Sequence, residues 1–215
     1  DKLSGKPIIG DTVVTTLDVN GQKAALEALG NTCGSVVALD PRNGDVLAFV
    51  STPTFDPNGF ARGLTYAEYA AVSESLDVPL FDRALRGEYP PGSTIKPLVA
   101  LAALEYGVVD EDMTRLCRGA FQLPGPSHRF RDWKKGGHGT VNLHSAIAQS
   151  CDTYFYGVSD QIGIDRLHAF LIQFGLNEKT GIDILGERSG LVPSQAWKKK
   201  AFKKKELQVW FPGET

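Results

Sequence analysis

Ser93-Thr94-Ile95-Lys96 places a hydroxyl and an amine three residues apart at the head of an apolar stretch. Residues at i and i+3 share one helical face, so the lysine can reach the serine. At a helix start the dipole favours an incipient alkoxide on Ser93 and disfavours a charged amine beside it; a desolvated Lys96 would then act as a base near neutral pH. The chemistry this would serve is nucleophilic attack by the serine with the lysine as its base. Taken alone, the four residues more often mean a helix-capping serine followed by a solvated lysine. A phosphate-binding loop is excluded, although Gly87 to Thr94 resembles one, because that motif needs lysine where Ser93 stands and N–H groups where Pro90 and Pro91 have none.

A second hydroxyl and a carboxylate follow 57 residues later in Ser150-Cys151-Asp152, able to bond a lysine and relay a proton. A third set, Cys117, Asp132, His138 and Cys151, offers two thiolates, a carboxylate and an imidazole, which suit tetrahedral Zn²⁺ in a structural role. Its spacing is not a compact C-x-x-C pattern, so a Cys117–Cys151 disulfide or free thiols stay open beside the metal. His128 and His144 are lesser ligand candidates, and Cys33 reads as a bystander.

Several elements must position these groups. A helix capped by Asp18 carries Ala25, Leu26 and Leu29 on one face. Ser35 to Leu39 and Asp45 to Ser51 form a hairpin around the turn DPRNG, and both runs are apolar nearly throughout, which predicts strands covered on both faces. A short helix is expected from Tyr66 to Ser75. Pro90-Pro91-Gly92 leads into a helix from Ser93 to Tyr106, ended by Gly107. Residues Cys117 to Gly139 read as a long Gly- and Pro-rich loop, functional or tied down. Further helices are predicted from Val141 to Val158 and from Ile164 to Phe174. Tyr154, Phe155 and Tyr156 read as core, Trp133 as a loop cover or groove wall, and the lysine triplets at 198–200 and 203–205 as a solvated face.

Composition narrows the class. The 215 residues are 42% hydrophobic and 22% charged with a net charge of -2, which fits a globular chain and argues against a nucleic-acid partner. The longest apolar run, Leu98 to Leu104, falls far short of the roughly 20 residues of a membrane span, and no signal-type segment opens the sequence.

The stretches VVALDPRNGDVLAFVSTPTFDPN, GEYPPGSTIKP, RDWKKGGHGTVNL, QSCDTYFY and TGIDILGERSGLVP together resemble, in collinear order, the transpeptidase domain of class B penicillin-binding proteins of the elongation type. The resemblance implies an α+β fold of the serine β-lactamase-like kind, a helical subdomain plus an antiparallel sheet. It implies a peptidoglycan D,D-transpeptidase at the periplasmic face of the bacterial inner membrane, acting on stem peptides and acylated by β-lactams, with a glycosyltransferase of the elongation complex as partner. In that scheme Ser93 is the nucleophile, Lys96 its base and Ser150 a proton shuttle. Asp152 stands where many relatives have asparagine. No cofactor enters the chemistry; some relatives are similar in carrying a structural zinc near the active site. A carboxypeptidase or β-lactamase of the same fold, or a non-catalytic scaffold, are the competing readings.

Such enzymes also use a K-[ST]-G strand. Lys179-Thr180-Gly181 spells it, but only 29 residues after Ser150 and in the wrong context. The expectation is that residues 1–215 form a partial transpeptidase domain: the true K-[ST]-G strand, two further strands and part of the oxyanion hole lie beyond Thr215, membrane anchor and N-terminal pedestal are absent, and the chain as it stands is catalytically incomplete.

Overall fold

The computed structural model describes residues 10–125 and 127–215, which divide into a unit ending at Gly87 and a second from Glu88 to Thr215. In the first, helix α1 (Val19–Leu29) begins at Asp18, whose carboxylate accepts the Gly21 N–H, and ends at Gly30. Strands β1 (Gly34–Leu39) and β2 (Val46–Thr52) pair antiparallel, Val36 opposite Val50. The Gln22 side chain accepts from the Phe49 N–H and donates to its C=O, satisfying the free edge of β2. Helices α2 (Pro57–Arg62), α3 (Tyr66–Ser73) and α4 (Arg83–Arg86) follow. The expected two-sided burial of the hairpin does not occur among the described residues. Ala48 and Val50 are buried, whereas Val37 and Leu39 are 46% and 56% exposed. Apolar character at every strand position permits two buried faces but cannot supply the layer that would cover the second.

The second unit is built on helix α5 (Lys96–Glu105), entered through a 3₁₀ turn at Gly92–Ile95. Ala102 and Ala103 are fully buried, small enough to let α5 approach helix α7 (Asp152–Ile162), where Tyr154, Phe155 and Val158 complete the core. The expected loop from Cys117 to Gly139 instead contains strand structure. β3 (Arg115–Cys117) pairs with β6 (Gly139–Val141), and β4 (Ala120–Gln122) with β5 (Arg129–Arg131). Strands of three residues are too short to announce themselves by alternation.

The single helix predicted over 141–158 is two: α6 (Leu143–Ala148) and α7, separated by Ser150 at φ 52°. The Ser150 N–H donates to Ile147 C=O and the Cys151 N–H to Ala146 C=O, the paired bonds of a Schellman ending with serine in the place glycine usually takes. Helix α8 (Ile164–Leu171) runs into a 3₁₀ turn through Phe174, and α9 (Gln195–Ala201) closes the set. Lys198 departs from the expected solvated lysine face: it is buried, paired to Glu214, and lies over the Trp210 and Phe211 rings. Among the described residues no helix is long and apolar enough to cross a membrane.

Candidate active site

Gly92, at φ 57°, turns the backbone after Pro90-Pro91 and sets Ser93 exposed in the 3₁₀ turn, without a side-chain cap bond. Lys96, one turn on, is buried, 8% exposed. Its Nζ meets three oxygens: Asp152 Oδ1 at 2.5 Å, Ser150 C=O at 2.9 Å and Ser150 Oγ at 3.0 Å. The Phe155 ring, 5.6 Å away, closes a further side.

Among the described residues no hydrogen bond joins Lys96 to Ser93 directly, contrary to what i, i+3 spacing suggested. Ser150 bridges them, its Oγ lying 2.9 Å from Ser93 Oγ. The left-handed conformation of Ser150 makes the bridge possible by turning the chain back at the end of α6, so that hydroxyl and carbonyl face the same amine. A non-glycine residue held there costs about 1 kcal/mol, and such strain concentrates at working sites. The arrangement can pass a proton from one hydroxyl through another to an amine, with a carboxylate in place to stabilise the ammonium that results.

Asp152 is positioned from a direction the sequence did not disclose. Its Oδ2 accepts the Trp133 N–H at 3.1 Å, while the adjoining Thr153 N–H donates to Asp132 Oδ2 at 3.0 Å. Residues 132–133 and 152–153 thus clamp each other. Two glycines make the approach of the loops possible. A Cβ on Gly137 would lie 2.2 Å from Cys117 C=O, and one on Gly119 2.3 Å from Lys135 C=O; both backbones are left-handed. The glycines in KKGGHG were the available signal.

Cys117, Asp132, His138 and Cys151 gather with all four ligand atoms within 4.8 Å of one another. Both thiols lie 3.5 Å from Asp132 Oδ2, Cys117 Sγ is 3.5 Å from His138 Nδ1, and His138 Nδ1 is 3.4 Å from Asp132 Oδ1. Both cysteines are free thiols, so the disulfide alternative is not what the structure holds. Burial pushes the Cys151 thiol up to about 11, which the Thr153 hydroxyl and Tyr154 N–H only partly oppose. Burial also works against the Asp132 carboxylate, yet the Thr153 and Lys134 N–H groups, Cys151 and His138 outweigh it and hold the group below its ordinary value. Among the described residues, the buried His138 Nε2 has no hydrogen-bond partner.

The remaining candidates lie elsewhere. His128 packs on the Phe130 ring, His144 is exposed on α6, and Cys33 is exposed with Sγ 3.7 Å from Asp77. Tyr154 and Phe155 are core, Tyr156 is exposed rather than core, and Trp133 is 65% exposed with its indole N–H on Gln149 C=O. Lys179-Thr180-Gly181 forms no strand: the Thr180 N–H and hydroxyl and the Gly181 N–H all donate to the Glu187 carboxylate.

Comparison with known proteins places this geometry. The model of the penicillin-binding protein transpeptidase domain matches residues 34–206. Peptidoglycan D,D-transpeptidase MrdA of Acinetobacter baumannii is 46% identical over 209 residues, 97% of this chain and 30% of that protein. A crystal structure of Pseudomonas aeruginosa PBP2 in complex with WCK 5153 superposes with a TM-score of 0.85 at 48% identity, covering 93% of this chain and 44% of that one. Helicobacter pylori PBP2 in its complex with MreC gives 0.85 at 35% identity, over 92% of this chain and 36% of the other. The chain therefore spans about a third of the length of the curated relatives it matches.

Proposed function

The chain belongs to the penicillin-binding protein transpeptidase family, and from that premise we propose that it carries the nucleophile of a peptidoglycan D,D-transpeptidase of the elongation type. One observation carries the mechanism: the continuous path from Ser93 Oγ to Ser150 Oγ to Lys96 Nζ. Ser93 Oγ attacks the penultimate D-alanyl carbonyl of a stem peptide. Its proton passes by way of Ser150 to the Lys96 amine, and Asp152 stabilises the resulting ammonium. The peptide C–N bond breaks, D-alanine leaves with a proton returned along the same path, and the acyl group stays on Ser93. An amine of a neighbouring strand then attacks the ester, gives up a proton and regenerates Ser93. A β-lactam acylates the same oxygen by opening its ring.

The work is done at the periplasmic face of the inner membrane, where the substrate is, and alongside a glycosyltransferase that makes the strands. The similarity to a relative solved with MreC supports a place in such an assembly.

Cys117, Asp132, His138 and Cys151 fit a tetrahedral Zn²⁺. Bond lengths of about 2.0–2.3 Å to oxygen, nitrogen and sulfur require tetrahedral edges of about 3.3–3.8 Å between unlike and like ligands. The separations of 3.4–3.5 Å from the thiols and His138 to Asp132, and from Cys117 to His138, fall in that range, while the four ligand atoms as a set lie within 4.8 Å of one another, so a bound ion would draw them slightly together. The metal would hold both thiolates deprotonated against the burial that opposes it, and tie the 117–138 segment to Cys151. Its role is structural. Elemental analysis of protein purified without chelator is expected to give one zinc per chain, falling below a tenth of that in Cys117→Ser; a zinc-free wild type overturns the assignment.

The nucleophile is tested with a labelled penicillin and peptide mass spectrometry in a protein of the relatives' full length. The adduct is expected on the peptide containing Ser93, and an adduct that survives Ser93→Ala defeats the mechanism.

A further inference from the structure

Arg118, Arg129, Arg131 and Lys135 line a cleft of about 1000 Å³, with Trp133 and Asp132 on its wall. Its making follows from strand geometry. Successive side chains of β5 alternate, so Phe130 turns toward Tyr156, 5.8 Å away, and Arg129 and Arg131 share the opposite face. Opposite Arg131 on β4 stands Ala120, whose single methyl leaves that face open. Among the described residues none of the four cations has an ion-pair partner. The lining carboxylate, Asp132, is engaged by the two thiols, His138 and the Thr153 and Lys134 N–H groups. Four cations against one carboxylate leave the cleft three positive charges, in a chain whose net charge is -2.

The cleft is fastened to the reaction centre. Trp133 gives its backbone N–H to Asp152 and its indole N–H to Gln149 C=O, next to Ser150. A ligand held against Arg131 and the exposed indole therefore lies beside the Lys96–Asp152 pair.

We propose that this cleft is a subsite for a peptide bearing free carboxylates, holding them while the peptide's reacting end lies at Ser93. The inference rests on the transpeptidase reading and adds to it the charge of the substrate and the residues that read it. Guanidinium groups bind carboxylates through two parallel hydrogen bonds and stack on planar groups, and three of the four cations are arginines. A concave site floored by a strand pair fits an extended peptide, whereas a membrane surface would meet a convex basic face.

Calorimetric titration of the protein of the relatives' full length tests the subsite. The probe is a stem-type peptide ending in D-Ala-D-Ala with two free side carboxylates; the same peptide with those carboxylates amidated is the comparison. The charged peptide is expected to bind roughly tenfold more tightly than the amidated one, with the difference shrinking as salt rises. Arg129→Gln and Arg131→Gln together should abolish the difference, and Lys199→Gln with Lys200→Gln on α9 should retain it. Equal binding of the two peptides to wild type overturns the proposal whether or not the arginine variants fold. So does binding of vesicles of anionic lipid that the charged peptide fails to displace. Penicillin labelling of Ser93 in the full-length wild type reports on the transpeptidase reading alone, so the two can fail separately. In that protein the arginine variants assign the peptide: slowed acylation by a peptide donor makes it the donor strand, and slowed transfer to an amine peptide with normal acylation makes it the acceptor.

Discussion

Alanine at Gly137 would strike the cluster beneath the active site without touching a functional side chain. The new Cβ would sit 2.2 Å from Cys117 C=O and 2.6 Å from Gly119 N, against backbone that has no rotamer to change. Relief requires roughly 1 Å of movement between two strand-flanking segments, since ordinary contact begins near 3.4 Å. The φ of 75° adds about 1 kcal/mol for a non-glycine residue, and moving the segments strains the β3–β6 pairing, at about 1 kcal/mol for each hydrogen bond lost. A total near 3 kcal/mol corresponds to roughly 6–12 °C in melting temperature for a chain of this size. Gly136→Ala is the internal control, because nothing lies within 4 Å of its Cβ. Thermal unfolding should separate the two variants, and a thiol reagent should reach Cys117 and Cys151 in Gly137→Ala well before it does in Gly136→Ala. If the two variants melt within 1 °C of each other, the close approach does not support the site as described.

Ser150→Gly and Ser150→Ala both remove the bridging hydroxyl and should slow penicillin acylation of the full-length protein by at least about a hundredfold each. They should differ in stability, because glycine relieves the left-handed strain: Ser150→Gly is expected to be more stable than Ser150→Ala by about 1 kcal/mol in denaturant titration. Asp152→Asn keeps an acceptor for Lys96 and should retain acylation within about tenfold, whereas Asp152→Ala should lose far more, measured by the same labelling. Lys198 and the Phe211 N–H hold the Glu214 carboxyl below its ordinary range, so its contribution to stability is present above that range and disappears as pH falls through the lowered value; the melting difference between wild type and Glu214→Gln should therefore vanish in acid and be full at neutral pH. Val158→Ala, at a fully buried position between α5 and α7, should cost about 2 kcal/mol by the same titration.

Much of the helical frame was legible because its cues are local. Asp18 and Gly30 bound α1, and Pro90-Pro91-Gly92 marks the entry to α5. The break at Ser150 carries little local mark, since QSCDT contains neither glycine nor proline and the apolar pattern runs on through Tyr154. The strands of the 117–141 segment escaped for a different reason: pairs of three residues gain their stability from the Cys117–His138 cluster and from close backbone contact at Gly119 and Gly137. Neither is a property of a short window.

Residue type and short-range spacing determined that this chain carries a serine one helical turn from a lysine, with a second serine and a carboxylate available, and four side chains of metal-ligating type spread over a glycine-rich stretch. Only the tertiary structure decided how they work together. Ser93 and Lys96 do not bond each other; they meet through Ser150, 57 positions away, because a left-handed turn and the packing of α7 on α5 bring that hydroxyl between them. Two residues on one helix are placed by the backbone's own periodicity, but a contact across that separation pays loop-closure entropy and exists only where buried alanines, a glycine crossing and a buried carboxylate make the approach favourable.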